Sequence, residues 1–278
     1  MTAIQFSKNS FLFRKLDLKS SLVRFSIVWS LASFLLLYIY SYFFVTQEIL
    51  SVINLNYSLN IAALSFCAWL IGREYHENDG LTAVLSQVIT TIVLLLVDPL
   101  IRIDILTPLY VFFLARISIE GDSWLKGKVE IFSLLVLIVI TTYLTLTFNS
   151  WIYLFTLSIA FFVNLTSEEE SVFTWIMGLI SLLMSIVWVM WKGSRRYVIY
   201  IEPLYQYILM TFFLLGIYWG FKGGDVTEIK GRLSRILIAV YAVFVVIFGF
   251  TDSIISVIPI ISVVLLYVPV RYFNSQDH

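Results

Sequence analysis

The stretch FSIVWSLASFLLLYIYSYFFV, residues 25–45, runs for 21 positions without an Asp, Glu, Lys, Arg or His. As a helix it is about 31 Å long at 1.5 Å per residue, which matches the hydrocarbon core of a bilayer. It therefore reads as a membrane-spanning helix. Lys8, Arg14, Lys15, Lys19 and Arg24 precede it. The apolar run is longer than the core of a signal peptide and lacks a small-residue cleavage pattern, so it is expected to be retained, with the basic end in the cytoplasm.

Working outward, comparable runs occur at 49–71, 81–97, 99–117, 129–147, 151–165, 172–191, 203–221, 233–250 and 254–271. The 278 residues are 60% hydrophobic and 13% charged, with a mean hydropathy of +0.94. A soluble domain needs about 25% charged residues to cover its surface. The sequence predicts an all-α, polytopic transmembrane bundle of about ten helices with both termini cytoplasmic. Its expected parts are a cytoplasmic segment over 1–24, one helical bundle over 25–271 and a cytoplasmic tail over 272–278. The expected location is the cell membrane.

Charge counting sets the topology. With ten crossings, 14 of the 18 Lys and Arg residues lie on the cytoplasmic side, Arg73 and Arg116 among them. Arg102, Lys192, Arg195 and Arg196 lie outside. Dropping the short 151–165 segment flips everything after it and weakens the positive-inside bias. The cluster Lys192 to Arg196 still conflicts with that rule.

Several boundaries carry capping chemistry. Asp225 with Glu228 and Ser167 with Glu170 have capping-box spacing, while Asp98-Pro99 and Thr107-Pro108 fit an N-cap followed by a helix-starting proline. The fourth segment is read as a full span from Pro99, kinked at Pro108, and the last as bent at Pro259. Gly216 and Gly220 have the small-xxx-small spacing of close helix packing.

Ionisable side chains avoid the predicted helix centres. Asp104 is the deepest, inside the fourth segment, with Asp98 and Arg102 at i and i+4; the three form a candidate polar cluster at the outer mouth. Asn54 and Asn60 are candidate intramembrane polar groups in the second segment, able to bond across a helix interface. The tryptophans near helix ends suit interfacial belts.

Glu74, Glu77 and Asp79 between the second and third segments, and Glu168, Glu169 and Glu170 before the seventh, face the same side in this topology. Two acidic clusters on one face offer hard oxygen ligands for Mg²⁺ against a diphosphate. The arrangement resembles the UbiA-type intramembrane prenyltransferases, and the resemblance implies an Mg-dependent isoprenoid or lipid transferase. Those enzymes carry N-D-x-x-D-x-x-x-D, whereas here the residues are Glu74-x-x-Glu77-x-Asp79 and a triple glutamate. The helix dipole alone also favours carboxylates at a helix start.

Other chemistries lack their residues. The single cysteine, Cys67, permits neither a disulfide nor a thiolate cluster. His76 and His278 are the only histidines and both lie outside the apolar runs, so no pair of axial haem ligands exists within the membrane. GxSxG, HExxH, P-loop and dinucleotide-binding patterns are absent. Nothing suggests nucleic acid as a partner. The leading expectation is a hydrophobic subunit of a multi-subunit membrane complex, such as a respiratory or electron-transfer assembly, with neither a catalytic nor a redox centre of its own. Its expected partners are the lipid bilayer and other protein chains, and the residues leave quinone and Mg²⁺ undecided. The alternatives are a small-solute or lipid transporter and the transferase.

Overall fold

The computed structural model describes residues 20–43, 52–75, 80–96, 104–120, 128–163, 172–192, 211, 214, 218, 236–242 and 258–274, and all regular structure among them is helical. The elements are α1 (Ser21–Ser41), α2 (Val52–Tyr75), α3 (Gly80–Leu95), α4 (Leu106–Glu120), α5 (Lys128–Thr147), α6 (Ile152–Phe162) and α7 (Val172–Lys192). The stretch 236–242 is α8, and Ile258–Asn274 is α9.

On α1 and α3 many small polar side chains face inward and large apolar ones outward. On α1 the buried positions Val23, Ser26, Ser33, Leu37 and Ser41 follow helical spacing, while Val28, Leu31, Leu35, Leu36 and Ile39 face outward. On α3 the buried face holds Thr82, Ser86, Gln87, Thr90 and Thr91, and Leu81, Leu85, Ile92 and Val93 are exposed. A helix in water would reverse this arrangement. In hydrocarbon, apolar side chains gain nothing by turning inward, so small and polar residues take the helix contacts. Among the described residues, three helices are long and apolar enough to cross a membrane: Ser21–Ser41, Val52–Arg73 and Trp175–Lys192.

Side-chain pairs give the directions. Ser26 meets Gln87 and Trp29 meets Thr91, a constant offset that makes α1 and α3 parallel. Gly72 lies against Ala83 while Ser65 reaches Thr91, so α2 runs antiparallel to α3. A Cβ added to Gly72 would stand 2.9 Å from the Cα of Ala83. Only glycine permits that approach of two backbones. Ser262 on α9 bonds Thr90, and Ile258 packs in the cluster containing Leu94, so α9 is also antiparallel to α3. The start of α1 and the end of α9 consequently point to the same end of this group.

In the second group, Tyr110 meets Tyr153 and Thr156 while Ser118 meets Ala160, making α4 and α6 parallel. Ser158 bonds the Gly178 carbonyl and Ser185 the Trp151 carbonyl, which pairs α6 antiparallel with α7. The larger core cluster joins Trp69 and Ile71 of α2 to Tyr110, Phe113, Tyr153, Phe161 and Tyr241.

A tight turn, Phe148-Asn149-Ser150-Trp151, connects α5 to α6. Asn149 adopts φ 49°, a left-handed conformation that asparagine tolerates, and the Ser150 N–H bonds the Thr145 carbonyl at 3.2 Å in the manner of a Schellman cap. The Ser150 hydroxyl then accepts from the Ile152 N–H at 3.4 Å.

Two expectations change, both at the start of the fourth segment. The fourth segment is not a kinked span from Pro99: residues 104 and 105 are not helical and α4 starts at Leu106. Pro108 falls in the first turn, where its missing N–H costs no helical bond. The reason is Asp104, whose side chain captures the local donors before the helix begins. Thr107 thus lies within the helix instead of capping it. Arg116 lies within α4, which continues to Glu120. The stretch before Ile258, on which the expected bend at Pro259 depends, lies outside the described residues. The helix α6 is 11 residues long, roughly 16 Å, about half of the hydrocarbon thickness.

Candidate functional site

The polar side chains of α1, α2, α3 and α9 converge on Gln87, which is fully buried. Its Nε2 donates to the Ser26 carbonyl at 3.0 Å and to the Ser30 hydroxyl at 2.8 Å. Thr91, one turn later, donates to the Gln87 carbonyl at 3.0 Å and receives the Trp29 indole N–H at 3.1 Å. Ser65 of α2 lies 2.8 Å from the Thr91 hydroxyl. On the other flank of α3, Thr90 and Ser262 share a hydrogen bond of 2.6 Å across 172 positions of sequence. Four helices are thereby joined through one seam of neutral donors and acceptors.

A second polar set lies between α4, α6 and α8. The Tyr110 hydroxyl donates to the Tyr153 carbonyl and lies 3.1 Å from the Thr156 hydroxyl. Ser118 and Tyr241 meet at 2.8 Å. One turn of α4 brings in Arg116, only 3% exposed, with its guanidinium carbon 6.0 Å from the Phe112 ring centroid. A buried guanidinium is costly in hydrocarbon unless its environment answers it, which marks this position as significant.

The residues singled out from sequence fall in separate places. Asp104 caps α4: Oδ1 accepts the Leu106 N–H at 3.0 Å and Oδ2 accepts the Thr107 hydroxyl. Asp98 and Arg102 lie outside the described residues. Asn54 is buried at the α1–α2 junction, where its Oδ1 accepts from Ser41 at 2.6 Å and its carbonyl accepts from Ser58 at 2.7 Å. Asn60 instead bonds its neighbour Asn56 along α2, at 3.2 Å. These two amides do not meet at one site. Glu74 sits on the last turn of α2, but its side chain, with Glu77, Asp79, Glu168, Glu169 and Glu170, lies outside what is described. The Ser167, Asp225, Gly216 and Gly220 signals do too. Among the described residues, no group of three or more His, Cys, Asp or Glu is placed to hold a metal ion.

At the end of α7, Lys192 lies over the rings of Trp188 and Trp191, at 5.9 and 5.0 Å. A cation resting on tryptophans at a helix end has the form of an interfacial anchor. That contact gives Lys192 a local partner.

Gln87 carries no charge and stands in an otherwise apolar run, so neither charge nor hydropathy singles it out. The usable signal is spacing: Ser26, Ser30 and Ser33 on one face of the first apolar run, and Ser86-Gln87 followed by Thr90-Thr91 in the third. Compared with known proteins, the chain matches no family model, no curated protein and no solved structure.

Proposed function

We propose that this chain is a hydrophobic subunit of a multi-subunit complex in the cell membrane, crossing about ten times with both ends cytoplasmic. An electron-transfer assembly whose redox groups reside on other subunits is the type of complex envisaged. One observation supports this reading most directly: the buried hydroxyls and amides bond to each other across helix boundaries. Thr90 with Ser262, Ser118 with Tyr241 and Gln87 with Ser30 join segments 57 to 172 positions apart. Such bonds fix helices in place and leave the perimeter to apolar contacts.

The perimeter is suited to the task. On α7, Ile176, Ile180, Leu183, Val187 and Met190 form one exposed stripe, with Met190 79% exposed. The opposite face carries Gly178, Ser181 and Ser185 against α6. The stripe meets lipid or another apolar chain equally well.

The test is purification in mild detergent after cross-linking in the native membrane, with identification of every co-purifying chain and cofactor. A stoichiometric set of partner proteins is expected. A monodisperse, partner-free monomer overturns the reading.

A further inference from the structure

Among the described residues, two buried polar atoms where α1 meets α3 have no hydrogen-bond partner: Oε1 of Gln87 and Oγ of Ser26. Both residues are 0% exposed. They belong to one junction, because Nε2 of the same amide donates to the Ser26 carbonyl at 3.0 Å. That bond also fixes which way the amide faces. Exchanging its nitrogen and oxygen would set two carbonyl oxygens against each other. The junction thus holds an acceptor lacking a donor and a hydroxyl lacking an acceptor, a combination that folded proteins seldom leave unanswered.

We propose that the Ser26–Gln87 junction binds a neutral hydroxyl group, which donates to Oε1 of Gln87 and accepts from Oγ of Ser26. A single O–H answers both atoms at once. An anion would meet the amide oxygen with like charge, and a hard metal cation wants about six oxygens where two are on offer. The hydroxyl comes either from a water molecule, for which two polar partners suffice, or from an alcohol-bearing amphiphile of the membrane. Trp29 and Ser30 beside the junction are half-buried, and the Trp29 ring, stacked on Phe25 at a centroid distance of 5.8 Å, gives an amphiphile an apolar neighbour there.

The sign of one substitution decides the matter. Alanine is the better helix former, and deleting an unanswered hydroxyl relieves a cost. An empty junction therefore predicts that Ser26→Ala leaves the thermal midpoint of the full chain in mild detergent unchanged or higher. An occupied junction predicts a midpoint lower by about 2–4 °C, matching Ser30→Ala, which removes a bond already visible. If Ser26→Ala falls and native mass spectrometry finds a neutral alcohol-bearing lipid retained by the wild type and lost from the variant, the hydroxyl is an amphiphile's. A fall without such a mass difference assigns it to water. An unchanged or raised midpoint overturns the proposal.

Discussion

Nε2 of Gln87 stands 2.8 Å from Oγ of Ser30, and this contact ties α3 to α1 across 57 positions of sequence. The same nitrogen serves the Ser26 carbonyl. Replacing Gln87 with leucine keeps approximate volume but deletes both bonds. The expected cost is about 1–2 kcal/mol, since interhelical hydrogen bonds in membranes contribute roughly 0.6–2 kcal/mol each. Thermal unfolding in detergent measures it, and a Gln87→Leu variant as stable as the wild type would show that the seam contributes nothing.

Gly72 and Gly178 make a matched pair of probes. A Cβ at Gly72 meets backbone, the Ala83 Cα at 2.9 Å, whereas at Gly178 it meets the outer edge of the Phe162 ring at 2.9 to 3.2 Å. A ring edge swings aside more readily than a helix axis. Gly72→Ala is expected to cost about 1–3 kcal/mol, as overpacking does, and Gly178→Ala less. Equal losses in parallel melts would contradict the close α2–α3 approach.

Asp104 is assigned to capping, and its substitutions separate that role from a charged one. Asp104→Ala should cost about 1 kcal/mol. Asp104→Asn keeps an oxygen for the Leu106 N–H and should stay near wild-type stability and assembly. Loss of complex assembly in the asparagine variant alone would show that the charge itself is required.

The Ser118–Tyr241 contact is suited to a double-mutant cycle with Ser118→Ala and Tyr241→Phe. A coupling of about 0.6–2 kcal/mol is expected for a direct interhelical bond. Additive single effects would separate α4 from α8.

A nitroxide at Ile180→Cys or Leu183→Cys reads the environment of the α7 stripe. Cys67 is buried, which favours selective labelling of the introduced thiol. Collisions with oxygen should exceed those with a water-soluble nickel complex, and immobilisation on complex assembly would place a partner there. Greater access to the nickel complex would put the stripe in water.

The clearest sequence signals were the long apolar runs: 129–147 and 172–191 became Lys128–Thr147 and Val172–Lys192. Length and absence of charge suffice there, because a lipid-facing helix is defined by composition more than by pattern. Around Asp104 the same criterion misled. Residues 99–117 are continuous in hydropathy, yet a side chain competing for backbone donors moved the start of α4 to Leu106. The candidate seam was written in serines and threonines, which hydropathy scales scarcely register, and its four contributing helices are brought together only by tertiary structure.

The shortness of α6 bears on what keeps it in place. Eleven residues cannot hold themselves across a bilayer of about 30 Å, and what secures Ile152–Phe162 is its enclosure by α4, α5 and α7. An α6 of this length therefore depends on its neighbours for its position, and the antiparallel contacts Ser158–Gly178 and Ser185–Trp151 are where α7 holds it.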